Sequence, residues 1–166
     1  MEESNEQKIY VINGNHFSNL EEFFQEIQSV LTPETHQCKS IDCFNDVIKG
    51  GLGTPDEGYI LIWKNADLSR RSLGYEATAR LRQEGLQSLR QNLTDEEILR
   101  RELARIKRSF PDQNDEYHQS ELKDFQAAYR EMQHNLDLNL QNQGQTIFDI
   151  LIEIILRYPK IELSLE

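Results

Sequence analysis

A chain of 166 residues has the length of one ordinary domain, or of one domain with a sizeable addition. Hydrophobic residues make up 37% of it and charged residues 28%, a balance that is typical of folded proteins rather than disordered ones. The 29 acidic residues outnumber the 18 basic ones, which gives a net charge of -11. General binding to nucleic acid or to an anionic membrane surface needs an excess of Lys and Arg, so this composition argues against both.

The first strand and the first helix have clear sequence signals. The β-branched and aromatic residues of Lys8–Asn13 predict a strand. The segment from Ser18 to Glu21 fits a capping box, in which the Ser and Glu side chains satisfy free backbone amides at the start of a helix. Pro33 is expected to end that helix, because proline cannot donate the backbone hydrogen bond that the helix needs.

A short helix and a second strand are predicted next. Ser40 can cap a helix over Ile41–Lys49, and Gly50 begins the glycine-rich stretch that stops it. The run Tyr59–Trp63 is apolar without interruption, which predicts a central strand that is buried on both faces.

Residues 68–143 are rich in Gln, Arg, Glu and Leu, and they predict helices. The first covers about 76–91, the second begins at a capping box and covers about 94–108, and the third covers about 120–136. The polar segment 139–145 is expected to be a mobile link.

The end of the chain predicts a helix over Thr146–Tyr158 and a strand over Ile161–Leu165. Three strands joined by long crossovers favour an α/β fold, a small three-stranded parallel sheet with packed helices. We therefore expect a core formed by residues 1–67 and 144–166, with residues 68–143 as a helical insertion.

The negative charge is concentrated in that core. Residues 68–143 hold 12 basic and 13 acidic residues, whereas the rest of the chain holds 6 basic and 16 acidic ones. If the charge has a function, its partner is expected to contact the core. The alternative is that the charge only keeps the protein soluble.

Other classes of site find little support in the sequence. Cys38 and Cys43 form no CxxC motif, and we expect two reduced, structural thiols in a cytoplasmic protein, whose acidic amino terminus is unlike a signal peptide. No helix is apolar for long enough to span a membrane. No Ser-His-Asp, Cys-His or HExxH pattern is visible, so we expect no catalytic residues, metal site or cofactor. The histidines also lack ligand spacing: His16, His36, His118 and His134.

Two groups of acidic residues are candidates for partner binding. Asp42 and Asp46 are four residues apart and project from one face of the short helix. In the last helix, Asp149, Glu153 and Arg157 form a charged stripe at the same spacing. This stripe is either a solvated edge that carries a Glu153–Arg157 pair, or it directs Glu153 towards the same partner as Asp46.

The segment Ile41–Gly50 resembles the short second helix of the barstar family, whose members inhibit bacterial ribonucleases of the barnase type. Tyr10–Gly14 resembles the first strand of that family, Tyr59–Trp63 the second, and Phe148–Leu165 the last helix and strand. The order of the elements agrees as well. The resemblance implies an α/β inhibitor, not an enzyme, that plugs the active site of a basic ribonuclease.

The resemblance also implies the contact residues. Asp42 and Asp46 match two helix aspartates that imitate RNA phosphates, Glu153 a supporting glutamate, and Gly50 a turn glycine. Three positions lack the aromatic residues of the family and carry His36, Asn45 and Gly51 instead. Large aromatic contacts usually anchor interfaces. A target other than barnase, or a lower affinity, is therefore expected.

The sequence thus predicts an inhibitor or immunity protein, monomeric when alone, that binds a ribonuclease, most simply an extracellular or toxin one, and binds neither nucleic acid nor membrane. Its expected contacts are His36, Asp42, Asn45, Asp46, Gly50 and Glu153. The alternative is a non-enzymatic interaction module that binds another protein through the helical insertion, whose leucines would offer the surface.

Overall fold

The computed structural model describes residues 7–32, 38–50, 54–55 and 57–166. These residues form three strands and seven helices. The strands are β1 (Lys8–Asn13), β2 (Tyr59–Lys64) and β3 (Ile161–Leu165). The helices are α1 (Leu20–Leu31), α2 (Ile41–Lys49), α3 (Ala66–Ser72), α4 (Tyr75–Arg90), α5 (Asp95–Ser109), α6 (Asp115–Leu140) and α7 (Ile147–Leu156).

The strands form one parallel sheet in the order β1-β2-β3. This confirms the predicted α/β class, a small three-stranded parallel sheet with packed helices. Parallel neighbours cannot be joined by a tight turn, so helices connect each pair of strands. The register pairs Ile9 with Ile60 and Leu61 with Leu163.

Only one face of the central strand is fully buried, so the prediction of burial on both faces is wrong. The side chains on the buried face of β2 are Tyr59, Leu61 and Trp63. The alternate residues Ile60 and Ile62 are half-buried, and Ile9, the neighbour of Ile60 on β1, is 59% exposed. The apolar run therefore correctly indicates that β2 is the central strand, but it does not indicate that helices bury both of its faces.

Trp63 is the centre of the core beside the sheet. Its ring stacks on Phe23 of α1 at a centroid distance of 5.3 Å, and the ring of Phe148 of α7 lies 5.2 Å away. The indole nitrogen donates to the hydroxyl of Ser69 in α3 at 2.9 Å, so burial leaves no polar atom of Trp63 unpaired. One side chain thus joins three helices to the central strand.

The N-cap of α1 lies one residue later than predicted. The side chain of Asn19 accepts from the amide of Glu22 at 2.9 Å, and the Glu22 carboxylate accepts from the amide and hydroxyl of Ser18. These hydrogen bonds, with the Ser18 amide first, lower the pKa of Glu22. The prediction that Ser18 and Glu21 form the box is wrong, because Asn19 is an equally strong cap and takes the position next to the helix.

The helices in the middle of the chain differ in extent from the prediction. The short helix α3 was not expected, and α6 is longer than the predicted 120–136. The expectation of a mobile link over 139–145 is wrong at its start, because Asn139 belongs to α6 and is buried. Its side chain accepts from Nε of Arg82 at 2.8 Å and donates to the carbonyl of Gln143.

The described residues divide into two compact units. One comprises those within Met1–Ala77 together with Gln145–Glu166, and it contains the sheet. The other is Thr78–Gly144, a helical unit whose own small core is centred on Leu86, Ile98 and Tyr129. Among the described helices, none has both the length and the apolar character that crossing a bilayer requires.

Candidate functional site

Helix α2 is fixed at both ends by its own sequence. The hydroxyl of Ser40 accepts from the amide of Cys43 at 3.1 Å, which satisfies one of the free donors at the start of the helix. At the other end, Gly50 has a φ of 104°, a conformation that favours glycine because a side chain would be strained there. The predicted boundaries of this helix are therefore confirmed.

The apolar side of α2 belongs to the core. Phe44, Val47 and Ile48 are buried, and the ring of Phe44 packs against Phe23 at a centroid distance of 5.3 Å. The hydroxyl of Thr54 donates to the carbonyl of Val47 at 3.1 Å. Because this side is held by the core, the orientation of the opposite side is fixed as well.

The opposite side of α2 presents two free carboxylates. Asp42 and Asp46 are both exposed, and neither has an ion pair or a hydrogen bond in the part of the chain that the structure describes. Their spacing of four residues places them on one side of the helix, about one turn apart. We call the surface that they form the α2 acidic face.

Asn45 lies on the same helix and has a partner far away in sequence. Its side-chain oxygen accepts from the hydroxyl of Tyr158 at 3.0 Å, and Tyr158 follows directly after α7 and its terminal residue Arg157. Asn45 is only half-buried. This hydrogen bond ties the side of α2 next to the acidic face to the end of α7.

Glu153 is exposed on α7 and has two partners close to it in sequence. Its carboxylate accepts from the side-chain amide of Gln145 at 2.6 Å and lies 3.6 Å from the guanidinium of Arg157. Helices α2 and α7 pack against each other, but no described hydrogen bond or ion pair joins Glu153 to Asp42 or Asp46. The expected Glu153–Arg157 pair is thus present, and the alternative role of Glu153 towards a partner stays a prediction.

Two further residues from the sequence analysis, one of the charged stripe and one of the expected contacts, are placed as follows. Asp149 is not a free acid, because it forms a capping box with Thr146 at the start of α7. His36 lies outside the described residues. Tyr158 was missed by the sequence reasoning, because no local pattern indicates that a tyrosine after a helix would contact Asn45.

The two cysteines are joined in a disulfide, Cys38 to Cys43. The expectation of two free thiols is therefore wrong. Their Cα atoms are 5.6 Å apart, within the range that a disulfide requires. The sequence gives the reason only in retrospect: Cys43 lies in the first turn of α2, and the chain folds back at Ser40, so the preceding Cys38 comes close to it.

The described residues include no group of three or more His, Cys, Asp or Glu side chains that could hold a metal ion. Two histidines there have internal partners. His16 lies 2.9 Å from a carboxylate oxygen of Glu26, and the ring of the buried His118 contacts the carbonyl of Phe110 at 2.9 Å. What the site offers chemically is fixed negative charge on a rigid helix.

The family model described as barstar, the barnase inhibitor, matches residues 7–98, more than half of the 166 residues. The chain belongs to the barstar family. No curated protein and no solved structure matches it. The matched range contains β1, β2 and all of α2, whereas Glu153 and β3 lie beyond it.

Membership in the barstar family identifies the general class of the protein as that of barnase-inhibitor-like proteins, which are inhibitors and not enzymes. A ribonuclease is the partner that the family implies in general. The α2 acidic face lies inside the matched range.

Proposed function

We propose that this barstar-family protein inhibits a basic ribonuclease by placing the α2 acidic face in the active site of the enzyme. A ribonuclease must hold the phosphates of RNA, so its active site is lined with cationic groups. Two exposed carboxylates one helical turn apart offer such a cleft negative charges in place of phosphates. The observation that carries the proposal is that Asp42 and Asp46 are exposed and unpaired on one side of a well-anchored helix.

The lack of internal partners favours binding energetically. A carboxylate that is already in an ion pair must lose it before it contacts another protein, whereas Asp42 and Asp46 have no such bond to lose. The core contacts of Phe44, Val47 and Ile48 fix the helix before the partner arrives. Little conformational entropy is then lost on binding, which is the advantage of a preorganised surface.

The overall charge of the chain supports the same mechanism. A net charge of -11 attracts a cationic enzyme over distances of about 10 Å at moderate ionic strength. Such steering raises association rates to as much as about 10⁸–10⁹ M⁻¹s⁻¹ at low salt. The barnase–barstar pair is itself among the examples on which that range rests, so the range illustrates the mechanism and does not support it independently.

We assign roles to the contact residues on this basis. Asp46 is the central phosphate mimic and Asp42 supports it from the first turn. Gly50, without a side chain, lets the partner approach the end of α2, and Asn45 contacts the rim of the cleft. Glu153 supports the interface from α7, and His36 belongs to the same proposed set.

The target differs from barnase or is bound less tightly than by the aromatic-rich members of the family. At position 45, an asparagine replaces the tryptophan of the family pattern, and its oxygen is used internally by Tyr158. Aromatic side chains supply much of the binding energy at interfaces, so their loss lowers the affinity for a partner shaped to receive them.

We further propose that the protein acts as a monomer in the cytoplasm, as an immunity protein against a toxin ribonuclease. A cell that produces a secreted ribonuclease must block any copy that folds inside it, and a stoichiometric inhibitor does this. The disulfide is unusual for this location, because reducing conditions keep most cytoplasmic thiols free.

An RNA-cleavage assay tests the proposal. Barnase and other basic bacterial ribonucleases are titrated with the wild-type protein, with Asp46→Ala and with the matched control Asp67→Ala. Asp67 is an exposed aspartate of α3, outside the α2 acidic face. We expect one-to-one inhibition of at least one enzyme that weakens with salt, is lost with Asp46→Ala and is kept with Asp67→Ala.

Two results would contradict the proposal in different ways. Equal inhibition by the wild type and Asp46→Ala would show that the α2 acidic face is not the contact surface. No inhibition of any basic ribonuclease by the wild type would show that the function itself is wrong.

The helical insertion is the second candidate surface, and the described residues favour it less. The proposed leucine surface consists of Leu81, Leu86, Leu89, Leu93, Leu99, Leu103 and Ile106. Among these only Leu81 is exposed, whereas Leu86 and Ile106 are buried. The other four are half-buried, so only part of the set is available as a surface. Charge reversal at Asp46 would abolish ribonuclease inhibition and spare any complex formed through the insertion.

A further inference from the structure

We propose that Cys38 and Cys43 form a reversible thiol–disulfide site that controls the order of the α2 acidic face. The first part concerns the cysteines alone, and the effect on a partner rests on the proposed function. The site is suggested by the position of the disulfide, which closes a loop of a few residues around the cap of α2.

The disulfide joins two segments that otherwise have separate attachments. The amide of Cys38 donates to the side-chain oxygen of Gln28 in α1 at 3.0 Å, and Cys38 is buried in the core. Cys43 is the third residue of α2, and its amide donates to Ser40. The bond therefore holds the first turn of α2 against a residue that is anchored on α1.

The same turn carries one half of the acidic face. Asp42 is the immediate neighbour of Cys43, and Asp46 lies three residues further on, on the same side of the helix. When the disulfide is reduced, the first turn keeps the Ser40 cap but loses its covalent attachment. Asp42 then becomes less ordered, and binding must supply the ordering that the disulfide otherwise provides.

The two cysteines differ in burial, which favours Cys43 as the one that reacts first with a thiol reagent. Cys43 is half-buried, whereas Cys38 is only 4% exposed. A thiolate on Cys43 attacks one sulfur of glutathione disulfide, forms a mixed disulfide and releases one glutathione. The thiolate of Cys38 then attacks the Cys43 sulfur and releases the second glutathione. Two electrons pass from the protein to the glutathione disulfide, whose sulfur–sulfur bond breaks, and the two thiol protons go to the two glutathione molecules.

A reversible site also reconciles the disulfide with a cytoplasmic location. Disulfides in reducing compartments are usually transient and serve in catalysis or sensing. Cys43 is only half-buried and is the chain neighbour of Asp42, so one member of the pair lies near solvent and beside the acidic face.

The first experiment needs no partner. The full chain is equilibrated in glutathione buffers of increasing oxidised fraction, treated with an alkylating reagent and weighed by mass spectrometry. We expect two alkyl groups in the reduced protein, none in the oxidised protein, and full reversal by dithiothreitol. The proposal would be overturned if two free thiols persisted in excess glutathione disulfide. It would also be overturned if the disulfide persisted in dithiothreitol.

The second experiment measures order in the first turn of α2. Hydrogen exchange of the Cys43 and Phe44 amides, which bond to Ser40, is compared in the oxidised and reduced protein. We expect faster exchange after reduction, and no redox effect in a control with Cys38→Ser and Cys43→Ser together. Equal exchange rates in the two wild-type states would refute control of the helix by the disulfide.

The third experiment uses a ribonuclease that the wild type inhibits, with barnase as the first probe. We expect reduction to weaken inhibition by about three- to tenfold, the loss that corresponds to ordering one or two side chains on binding. Equal inhibition by both redox states would refute the functional part. If neither state inhibits any ribonuclease, the proposed function fails, while the first two experiments still decide the thiol–disulfide site.

Discussion

Replacing Asp46 by asparagine separates the contribution of its charge to binding from any contribution to folding. Asp46→Asn keeps the shape of the side chain and removes its charge. Because Asp46 has no ion pair or hydrogen bond in the described part of the chain, no group in the fold loses a partner. Its charge repels that of Asp42 one turn away, and it lies in the second half of α2, where the helix dipole disfavours an anion. The free energy of unfolding should therefore stay the same or rise by about 0.2–0.5 kcal/mol.

The effect on binding should be much larger and opposite in sign. A charged group that pairs with a cation inside an interface leaves that cation unpaired when it is removed, which typically costs about 2–5 kcal/mol. At about 1.4 kcal/mol per factor of ten, this corresponds to a loss of affinity between about 30-fold and several thousand-fold. Stability and affinity should thus change in opposite directions in the same variant.

Urea-induced unfolding and titration of ribonuclease inhibition, both on the same preparations, measure the two quantities. The control is Asp67→Asn, which makes the same chemical change at an exposed aspartate of α3 and should leave inhibition unchanged. A loss of more than about 1 kcal/mol in the stability of Asp46→Asn would show that Asp46 has a structural partner, contrary to our reasoning. Unchanged inhibition would remove Asp46 from the interface.

Three further predictions concern the fold that holds this face. Tyr59→Phe should be neutral or stabilise by up to about 1 kcal/mol in urea unfolding, because the buried hydroxyl of Tyr59 has no partner among the described residues. Burial raises the pKa of Tyr59, so above the unfolded-state pKa of about 10 the unfolded chain releases the phenol proton while the folded protein keeps it. The free energy of unfolding therefore falls as the pH rises above that value, and it should fall less steeply in Tyr59→Phe, which has no such proton. Gly50→Ala should cost about 1 kcal/mol or more, because alanine is strained at a φ of 104°, and an unchanged unfolding midpoint would contradict this. Thr146→Ala removes the Thr146 side chain from the capping box with Asp149 and should cost about 1 kcal/mol, seen as a lower thermal midpoint; no change would mean that solvent replaces the cap fully.

The local features of the site could be read from the sequence. Ser40 before an apolar-periodic segment and Gly50 after it gave α2 its observed boundaries, because capping hydrogen bonds join residues only three or four positions apart. The spacing of Asp42 and Asp46 also predicted that they share one side of the helix, and both are exposed. The choice between Ser18 and Asn19 as the cap of α1 could not be made in this way, because both residue types suit that position.

The sequence of this protein determined where its strands and most helices lie, since caps, glycine turns and apolar periodicity act within a few residues of each other. Tertiary structure decided which groups remain free. Asn45 meets Tyr158 across 113 positions, and Cys38 reaches Cys43 only because the chain folds back at the start of α2. Among the described residues, the second face of the sheet is only partly covered for the same kind of reason: an apolar run predicts a central strand, but only the packing of the helices decides how many of its faces they cover.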